Sequence, residues 1–224
     1  MEEKTILHCK AILFDMDGTL VDSSAVIDRA WKWWTARHSI ELAPIMAVQQ
    51  GRPNRDVLQE FASHLDIDKE AELFLKFEEE DLQDLVAIPG ANEAVREAQG
   101  GRWGIVTSAN KTLAELRLRA TGFPIPETFI TAENIRRGKP DPECYLLGAA
   151  ALEVEPRDCV VFEDAIAGVQ AAKAAGMKVV GVMTNLTEAD LAAHAHVPDF
   201  RSVTIRRNGS GEFRIAISRG PNVR

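Results

Sequence analysis

Residues 11–22 read AILFDMDGTLVD, a short apolar run followed by two aspartates that stand one residue apart. An apolar run of this length is typical of a buried strand in a parallel sheet. Residues i and i+2 of a strand share a face, so Asp15 and Asp17 are expected to project together where the strand ends. Two like charges this close repel each other. The pattern therefore indicates either a cation or a reaction that uses both carboxylates.

Alternation of apolar runs with helical patterns runs through most of the chain. Four further runs predict buried parallel strands: WGIVT (103–107), TFIT (128–131), CVVF (159–162) and VVGVM (179–183). The helical patterns between them are ANEAVREA (91–98), KTLAELRLRATG (111–122), PECYLLGAAALE (142–153) and AIAGVQAAKAAG (165–176). This alternation predicts an α/β fold with a Rossmann-like, doubly wound parallel sheet.

One stretch breaks the alternation. Residues 22–87 contain no strand-like run and predict several amphipathic helices, which we interpret as an α-helical cap domain inserted into the core. The catalytic core is accordingly assigned to residues 1–21 plus 88–218. Residues 202–218 alternate about a Gly-rich turn and predict a C-terminal β-hairpin. Residues 219–224 are expected to form a flexible tail.

Composition and charge limit the classes of protein to which this chain can belong. A formal net charge of −8 over 224 residues argues against non-specific nucleic-acid binding and against an anionic membrane surface. An anionic substrate would need a local positive site. Cys9, Cys144 and Cys159 are odd in number and scattered, which indicates reduced thiols in a cytoplasmic protein. No apolar run approaches the roughly 20 residues that span a bilayer, and a monomer is the default expectation.

Polar residues come after three of the other predicted strands, either at the end of the strand or in the turn before the next helix. Thr107 and Ser108 end one strand, and their hydroxyls and backbone amides can bind phosphoryl oxygens. Lys139 precedes a helix, and Glu163 and Asp164 end another strand with oxygen ligands suited to a hard cation. Each has an innocent explanation, such as a solvated lysine or a helix cap. Open α/β sheets bind ligands at the carboxyl ends of their strands, so the combination favours one site.

These motifs resemble a known family. The DxDGT stretch, the strand-end Thr-Ser, the lysine of GKP and the acidic pair of FEDA match the four motifs of the haloacid dehalogenase superfamily. The resemblance covers the whole chain and favours the β-phosphoglucomutase-like branch. Within that branch, AENIRRGKPDPECYLLGA (132–149) is similar to sugar and hexitol phosphatases and to 2-deoxyglucose-6-phosphate phosphatases.

The resemblance implies a phosphatase that uses magnesium and a covalent intermediate. Asp15 would attack phosphorus and form an aspartyl-phosphate. Mg²⁺ would be bound by Asp15, by the backbone carbonyl of Asp17 and by Asp164, with Glu163 behind these ligands or as an alternate ligand. The cation would also explain why the paired carboxylates tolerate each other.

The resemblance implies that the remaining motif residues transfer protons and bind the phosphate. Asp17 would protonate the leaving alkoxide and afterwards activate water. Thr107 and Lys139 would hold the transferring phosphoryl oxygens, with Ser108 beside them. Dehalogenases and phosphonatases resemble this chain but lack an aspartate at the position of Asp17. Its presence therefore favours phosphoryl transfer from an alcohol.

The expected substrate is a small phosphorylated sugar or polyol. Residues 49–58, QQGRPNRDVL, stand where this branch places its substrate-specificity loop. Arg52 and Asn54 are the candidates for contacting sugar hydroxyls, and Arg55 is a weaker one. The alternative is a solvated turn that opens a helix.

Two rival functions stay open at this point. A β-phosphoglucomutase shares the fold and the nucleophile, but it carries a histidine where this chain has Ile27. Signalling receiver domains, which bind partners instead of turning over metabolites, also combine acidic residues, a Thr/Ser and a lysine around magnesium. Receivers are shorter, have no inserted cap and bring their acidic pair at the first strand. Here the adjacent pair, Glu163 and Asp164, comes late in the chain.

Overall fold

A parallel sheet forms the centre of the fold in this computed structural model, which describes residues 4–184 and 186–218. The strands found there are β1 (Lys4–Cys9), β2 (Ala11–Phe14), β3 (Val21–Asp22), β4 (Val86–Ala87), β5 (Arg102–Val106), β6 (Thr128–Ile130), β7 (Cys159–Glu163), β8 (Lys178–Val182), β9 (Ala195–Val197), β10 (Val203–Arg207) and β11 (Phe213–Ser218). Six of them form the parallel sheet, in the order β6-β5-β2-β7-β8-β9. All five predicted core strands are present, and the α/β class is confirmed. The tail expected at residues 219–224 lies outside the described residues.

Strand β2 shows why the sheet is covered on both faces. None of its four residues is exposed to solvent. Ile12 and Phe14 pack into one hydrophobic cluster, whereas Ala11 and Leu13 pack into another. Because alternate residues of a strand face opposite sides, each face needs its own layer of apolar cover. This is the doubly wound arrangement that the sequence predicts.

Helices contribute to that cover on both faces. Those found in the described residues are α1 (Ser24–His38), α2 (Leu42–Met46), α3 (Asn54–Ala62), α4 (Ile67–Glu80), α5 (Ala91–Ala98), α6 (Lys111–Ala120), α7 (Glu143–Ala151), α8 (Ile166–Ala174) and α9 (Glu188–Leu191). Helices α5 and α6 join the cluster on one face, and α7 and α8 join the cluster on the other. The buried positions of α5 recur at helical spacing: Ala91, Ala94, Val95 and Ala98. None of the helices in the described part of the chain is long and apolar enough to cross a membrane.

Helices α1 to α4 lie in the segment between β2 and β5 and have a hydrophobic cluster of their own. Trp31, Trp34 and Phe74 are buried at its centre. The ring centroids of Trp31 and Phe74 lie 4.4 Å apart. The inserted segment can therefore pack its own helices together, as the amphipathic pattern of residues 22–87 predicts. The division of the chain into a core and a cap domain remains a prediction.

The expectation that residues 22–87 contain no strand was wrong at both ends. Strands β3 and β4 pair in antiparallel fashion, with Val21 opposite Ala87 and Asp22 opposite Val86. Strands of two residues are too short to produce a period-two pattern, so the sequence gives no signal for them. They join the two connections between the inserted helices and the rest of the fold.

The C-terminal hairpin is confirmed, and it belongs to a second sheet. Strands β10 and β11 pair in antiparallel fashion, and β1 adds to β11, which gives the order β1-β11-β10. The sequence analysis did not predict β1. Its residues, KTILHC, mix charged and apolar side chains, and its pairing partner lies at the opposite end of the chain. Strand β9 was also missed, because three residues carry no readable period.

Candidate active site

The carboxyl ends of three neighbouring strands meet at one edge of the parallel sheet. Strand β2 pairs with β5 and with β7, and Phe14 lies opposite both Ile105 and Phe162. Because the registers match, the residues that follow these strands are brought together. They are Asp15 and Asp17 after β2, Thr107 and Ser108 after β5, and Glu163 and Asp164 at the end of β7.

Lys139 links two of the carboxylates. Its Nζ lies 2.6 Å from an oxygen of Asp15 and 2.6 Å from an oxygen of Glu163, and all three side chains are buried. Burial lowers the pKa of Lys139, but the charges of Asp15 and Glu163 outweigh it and raise that pKa well above its ordinary value. The lysine is therefore held as an ammonium beside Asp15.

Glu163 is already surrounded by hydrogen-bond donors. Besides Lys139, the hydroxyl of Tyr145 donates to its Oε1 at 2.9 Å, and the backbone N–H of Ala165 donates to its Oε2 at 2.9 Å. These donors fix the orientation of the carboxylate and occupy much of its acceptor capacity. The arrangement favours a place for Glu163 behind the metal ligands over one among them.

Asp164 is buried, and both of its carboxylate oxygens accept hydrogen bonds from neighbouring side chains. The side-chain amide of Gln50 donates to its Oδ2 at 2.9 Å, and the hydroxyl of Thr19 donates to its Oδ1 at 3.3 Å. Burial, followed by the charge of Glu163, raises the pKa of Asp164 to about 8. Burial, with the charges of Glu163 and Asp164, also raises the pKa of Asp15 well above its ordinary value, in spite of Lys139. Both carboxyl groups would therefore be stabilised as anions by a further positive charge.

The donor set fits a divalent cation. Asp15, Glu163 and Asp164 can each offer a carboxylate oxygen, and these atoms lie within 4.8 Å of one another. The buried ammonium of Lys139 balances one of the three negative charges. Carboxylate and carbonyl oxygens are the ligands that Mg²⁺ prefers. Both the excess negative charge and the type of ligand atom therefore fit a magnesium ion.

Gly18 allows the loop after β2 to pass close to Asp164. Its φ angle is +80°, in the left-handed region that favours glycine, and a Cβ atom built on it would collide with the Asp164 carboxylate. The backbone carbonyl of Gly18 accepts a hydrogen bond from the hydroxyl of Thr184 at 2.8 Å. The turn that carries Asp17 is therefore held against the acidic cluster.

Thr107 and Ser108 lie at the same edge and line the cavity between the strand ends and the inserted helices. The hydroxyl of Thr107 accepts a hydrogen bond from the backbone N–H of Ala109 at 3.1 Å. The hydroxyl of Ser108 donates to the backbone carbonyl of Gly51 at 3.2 Å, so in this structure it contacts the inserted segment. Of the two, Thr107 is the one whose hydroxyl proton has no protein acceptor among the described residues.

Asp17 has a partner that the sequence analysis missed. Nη1 of Arg117, on α6, donates to Oδ1 of Asp17 at 2.9 Å, and Nη2 donates to Oε1 of Glu78, on α4, at 2.8 Å. Burial lowers the pKa of Arg117, whereas Asp17 and Glu78 raise it, and the net shift is upward. Burial raises the pKa of Glu78, although Arg117 opposes this shift.

A signal for Arg117 was present in the sequence. Helix α6 buries Leu113, Ala114 and Leu118, and Arg117 lies on the same face at helical spacing. A charged residue within an apolar face indicates a buried partner, because an isolated buried charge is very unfavourable. Glu78 gave no such signal, since it stands in the acidic run EEE at the end of α4.

The predicted substrate-contacting residues have different surroundings. Arg52 and Asn54 line the cavity, whereas Arg55 does not and pairs with the exposed Asp68 at 2.7 Å. Nη2 of Arg52 lies 2.9 Å from the carboxylate of Glu60. The amide nitrogen of Asn54 donates to Oε2 of Glu78 at 2.8 Å, so that group is already engaged.

A cavity of about 280 Å³ lies between the strand ends and the inserted helices. Its floor includes Asp15, Asp17 and Asp164, and its other side includes Ile27 and Arg52. Further polar side chains line it: Asp22, Ser23, Ser24, Asp28, Gln49 and Gln50. Its size and its polar lining suit a small, hydroxyl-rich molecule.

Comparisons with known proteins agree with this arrangement. A family model described as haloacid dehalogenase-like hydrolase matches residues 9–176. Hexitol phosphatase A from Escherichia coli is 37% identical over 216 residues, which cover 92% of this chain and 98% of that protein. 2-Deoxyglucose-6-phosphate phosphatase 2 from Saccharomyces cerevisiae is 29% identical over 233 residues, covering 92% of this chain and 94% of that protein. The crystal structure of a putative β-phosphoglucomutase from Thermotoga maritima is 29% identical, with a TM-score of 0.60, and covers 84% of this chain and 94% of that one.

Proposed function

The chain belongs to the haloacid dehalogenase-like hydrolases and is a phosphoric monoester hydrolase, and from that premise we propose that it is a magnesium-dependent phosphatase of small sugar or polyol monophosphates. The observation that carries the proposal is the meeting of Asp15, Asp17 and Asp164 with Lys139 at one edge of the sheet, below a cavity of small-molecule size. The two curated relatives are named as phosphatases of a hexitol and of a sugar phosphate, which supports the substrate class.

The reaction begins at Asp15. One of its carboxylate oxygens attacks phosphorus in line with the ester oxygen, the P–O ester bond breaks, and an aspartyl-phosphate forms. Asp17 gives its proton to the departing alkoxide, which leaves as the alcohol. The now ionised Asp17 takes a proton from water, whose oxygen attacks phosphorus. The P–O bond to Asp15 breaks, inorganic phosphate leaves, and the carboxylate of Asp15 and the protonated Asp17 are regenerated.

Charge on the phosphoryl group is balanced by the surrounding residues. In this proposal, the ammonium of Lys139 and the hydroxyl and backbone amide groups after β5, at Thr107 and Ser108, hold its oxygens. Asp15, the backbone carbonyl of Asp17 and Asp164 are the groups that would hold Mg²⁺. When bound, the cation neutralises the acidic cluster and the phosphate so that an anion can approach an anion.

Asp164→Ala is expected to raise the magnesium requirement sharply, because one of the oxygen ligands supplied by the protein is lost. Loss of a group behind a metal ligand typically costs about 10–100-fold in metal affinity, so loss of the ligand itself should cost at least about tenfold. The measurement is the half-saturating Mg²⁺ concentration for turnover, after chelation has abolished activity. Asp158→Ala, which removes a surface aspartate paired with Lys10, is the control. An unchanged magnesium requirement in Asp164→Ala would remove Asp164 from the metal site.

Substrate class is tested by a panel of phosphorylated sugars, polyols and nucleotides, assayed with Mg²⁺. Hexose and hexitol monophosphates should give the highest kcat/KM, and several related compounds should be accepted, because a few polar contacts discriminate only modestly. If nucleotides are hydrolysed better than every sugar phosphate, the substrate assignment is wrong. If neither these compounds nor an aryl phosphate is turned over, a receiver-like phosphoacceptor is favoured instead.

Arg52→Ala should lower kcat/KM for the preferred sugar phosphate. Hydrogen bonds from charged groups are worth about 1.5–3 kcal/mol, so the loss should be about 10–100-fold, with a much smaller loss for an aryl phosphate that has no hydroxyl groups. Arg55→Ala is the matched control, because Arg55 is a nearby arginine whose side chain lies outside the cavity. Equal losses on both substrates would show that Arg52 does not contact the sugar.

The mutase alternative is disfavoured by the wall of the cavity. Ile27, at the position where a β-phosphoglucomutase carries a histidine, lines the cavity with an apolar side chain. It can neither donate nor accept a proton. Incubation with a hexose 1-phosphate should therefore release inorganic phosphate without accumulation of the 6-phosphate isomer.

A further inference from the structure

A buried guanidinium links the proposed acid–base residue to the inserted helices. Arg117 and Glu78 are each 2% exposed, and Arg117 bonds to Asp17 on one side and to Glu78 on the other. The chain of contacts continues to Asn54, whose amide donates to the second oxygen of Glu78. A buried ion pair is often no more stabilising than well-packed apolar residues of similar volume. Such a network at an active site therefore calls for a functional reason as well as a structural one.

We propose that Arg117 is a positioning residue for Asp17: it holds one carboxylate oxygen so that the other is free to meet the leaving group, and Glu78 holds Arg117 in place. The inference rests on the proposed function, in which Asp17 transfers protons. A guanidinium is planar and its N–H donors point in fixed directions, so bonds to two separate carboxylates define its plane. The hydrogen bond from Arg117 in turn fixes the orientation of the Asp17 carboxylate.

The contacts argue against direct phosphate binding by Arg117. Both of its Nη atoms donate to carboxylates, and its Nε is buried without a partner among the described residues. Its charge faces two negative groups, so little of it is left to attract a phosphate. Arg117 also lines the cavity, but its side chain is only 3% exposed, against 22% for Asp17.

The proposal predicts a loss that depends on the leaving group. Arg117→Lys keeps the positive charge but cannot bond both carboxylates in the same plane. General acid–base catalysis is worth about 10²–10⁴-fold, so kcat/KM for an alkyl phosphate such as a hexitol phosphate should fall by about 10–100-fold. For p-nitrophenyl phosphate, whose leaving group needs little protonation, it should fall by less than about threefold. Arg119→Lys, on the exposed face of the same helix, should change neither value.

A double-mutant cycle separates positioning from a merely structural role. If Arg117 acts through Asp17, the variant Asp17→Asn/Arg117→Lys should be no slower on the alkyl phosphate than Asp17→Asn alone. If the two losses multiply, Arg117 contributes independently of Asp17 and the proposal is wrong. Equal losses on aryl and alkyl phosphates in Arg117→Lys would also overturn it.

Glu78→Gln is the second variant, in case Arg117→Lys does not fold. Glutamine keeps the size of the side chain and can still accept one bond from Arg117, so the loss should be smaller but should again be greater for the alkyl phosphate. An unchanged ratio of alkyl to aryl kcat/KM in a folded Glu78→Gln protein, checked by its thermal unfolding, would contradict the proposal. Failure of the wild-type protein to hydrolyse either ester would instead refute the proposed function, so the two failures are distinguishable.

Discussion

Asp15→Ala is expected to abolish turnover of every phosphate ester. Within the described residues, the other carboxylates of the acidic cluster are engaged by donors: Glu163 by Lys139 and Tyr145, and Asp164 by Gln50 and Thr19. None of them is expected to replace Asp15 as the proposed nucleophile. The measurement is steady-state hydrolysis of a hexitol phosphate and of p-nitrophenyl phosphate at saturating Mg²⁺.

The variant should remain folded, which makes the loss interpretable. Burial and the charges of Glu163 and Asp164 disfavour the ionised form of Asp15, so its removal relieves repulsion. Lys139 keeps Glu163 as its partner. Thermal unfolding without Mg²⁺ should therefore occur no lower than in the wild type. Residual activity of even a tenth of the wild-type value would mean that another group is the nucleophile.

Asp17→Asn is expected to separate the two chemical steps. Asparagine is close in size to aspartate and its carbonyl oxygen can still accept from Arg117, but it cannot give or take a proton. Transfer from p-nitrophenyl phosphate to Asp15 should be partly retained, because that leaving group departs without help. Hydrolysis of the aspartyl-phosphate should slow by about 10²–10⁴-fold, since water is no longer activated.

The phosphoenzyme should therefore accumulate in Asp17→Asn. Mass spectrometry of the acid-quenched protein should show one added phosphoryl group, which the double variant Asp15→Ala/Asp17→Asn should lack. In single-turnover phosphorylation, Asp17→Asn should lose far more on a hexitol phosphate than on the aryl ester. Equal losses on good and poor leaving groups would count against an acid–base role for Asp17.

The core of the fold could be predicted because its signals are local. The apolar runs of β2, β7 and β8 are buried between two layers, and such strands need continuous apolar sequence. Strands β1 and β3 gave no comparable signal. The first depends on a partner at the opposite end of the chain, and the second is two residues long. Their pairing depends on tertiary contacts, which the hydrophobic periodicity of the sequence does not reveal.

The same distinction applies to the site. Asp15, Lys139 and Asp164 could be singled out because each follows a predicted strand or precedes a helix, and strand ends converge. The contact of Arg117 with Asp17 joins residues 100 positions apart, and only the charged residue on the apolar face of α6 hinted at it. The contact of Asn54 with Glu78 could not be predicted, because it depends on how helices α3 and α4 pack together. Arg52 pairs instead with Glu60, on α3 itself.

The bonds from the inserted helices to the site limit how specificity can be transplanted. A chimera that took residues 22–87 from a relative would lose Gln50 beside Asp164 and Glu78 beside Arg117 unless the donor supplied equivalents. The recipient would then contain a buried guanidinium with one partner instead of two. Engineering a new substrate range into this scaffold should therefore exchange the insert together with α6, because Asn54 and the proposed acid–base residue Asp17 share one hydrogen-bond network.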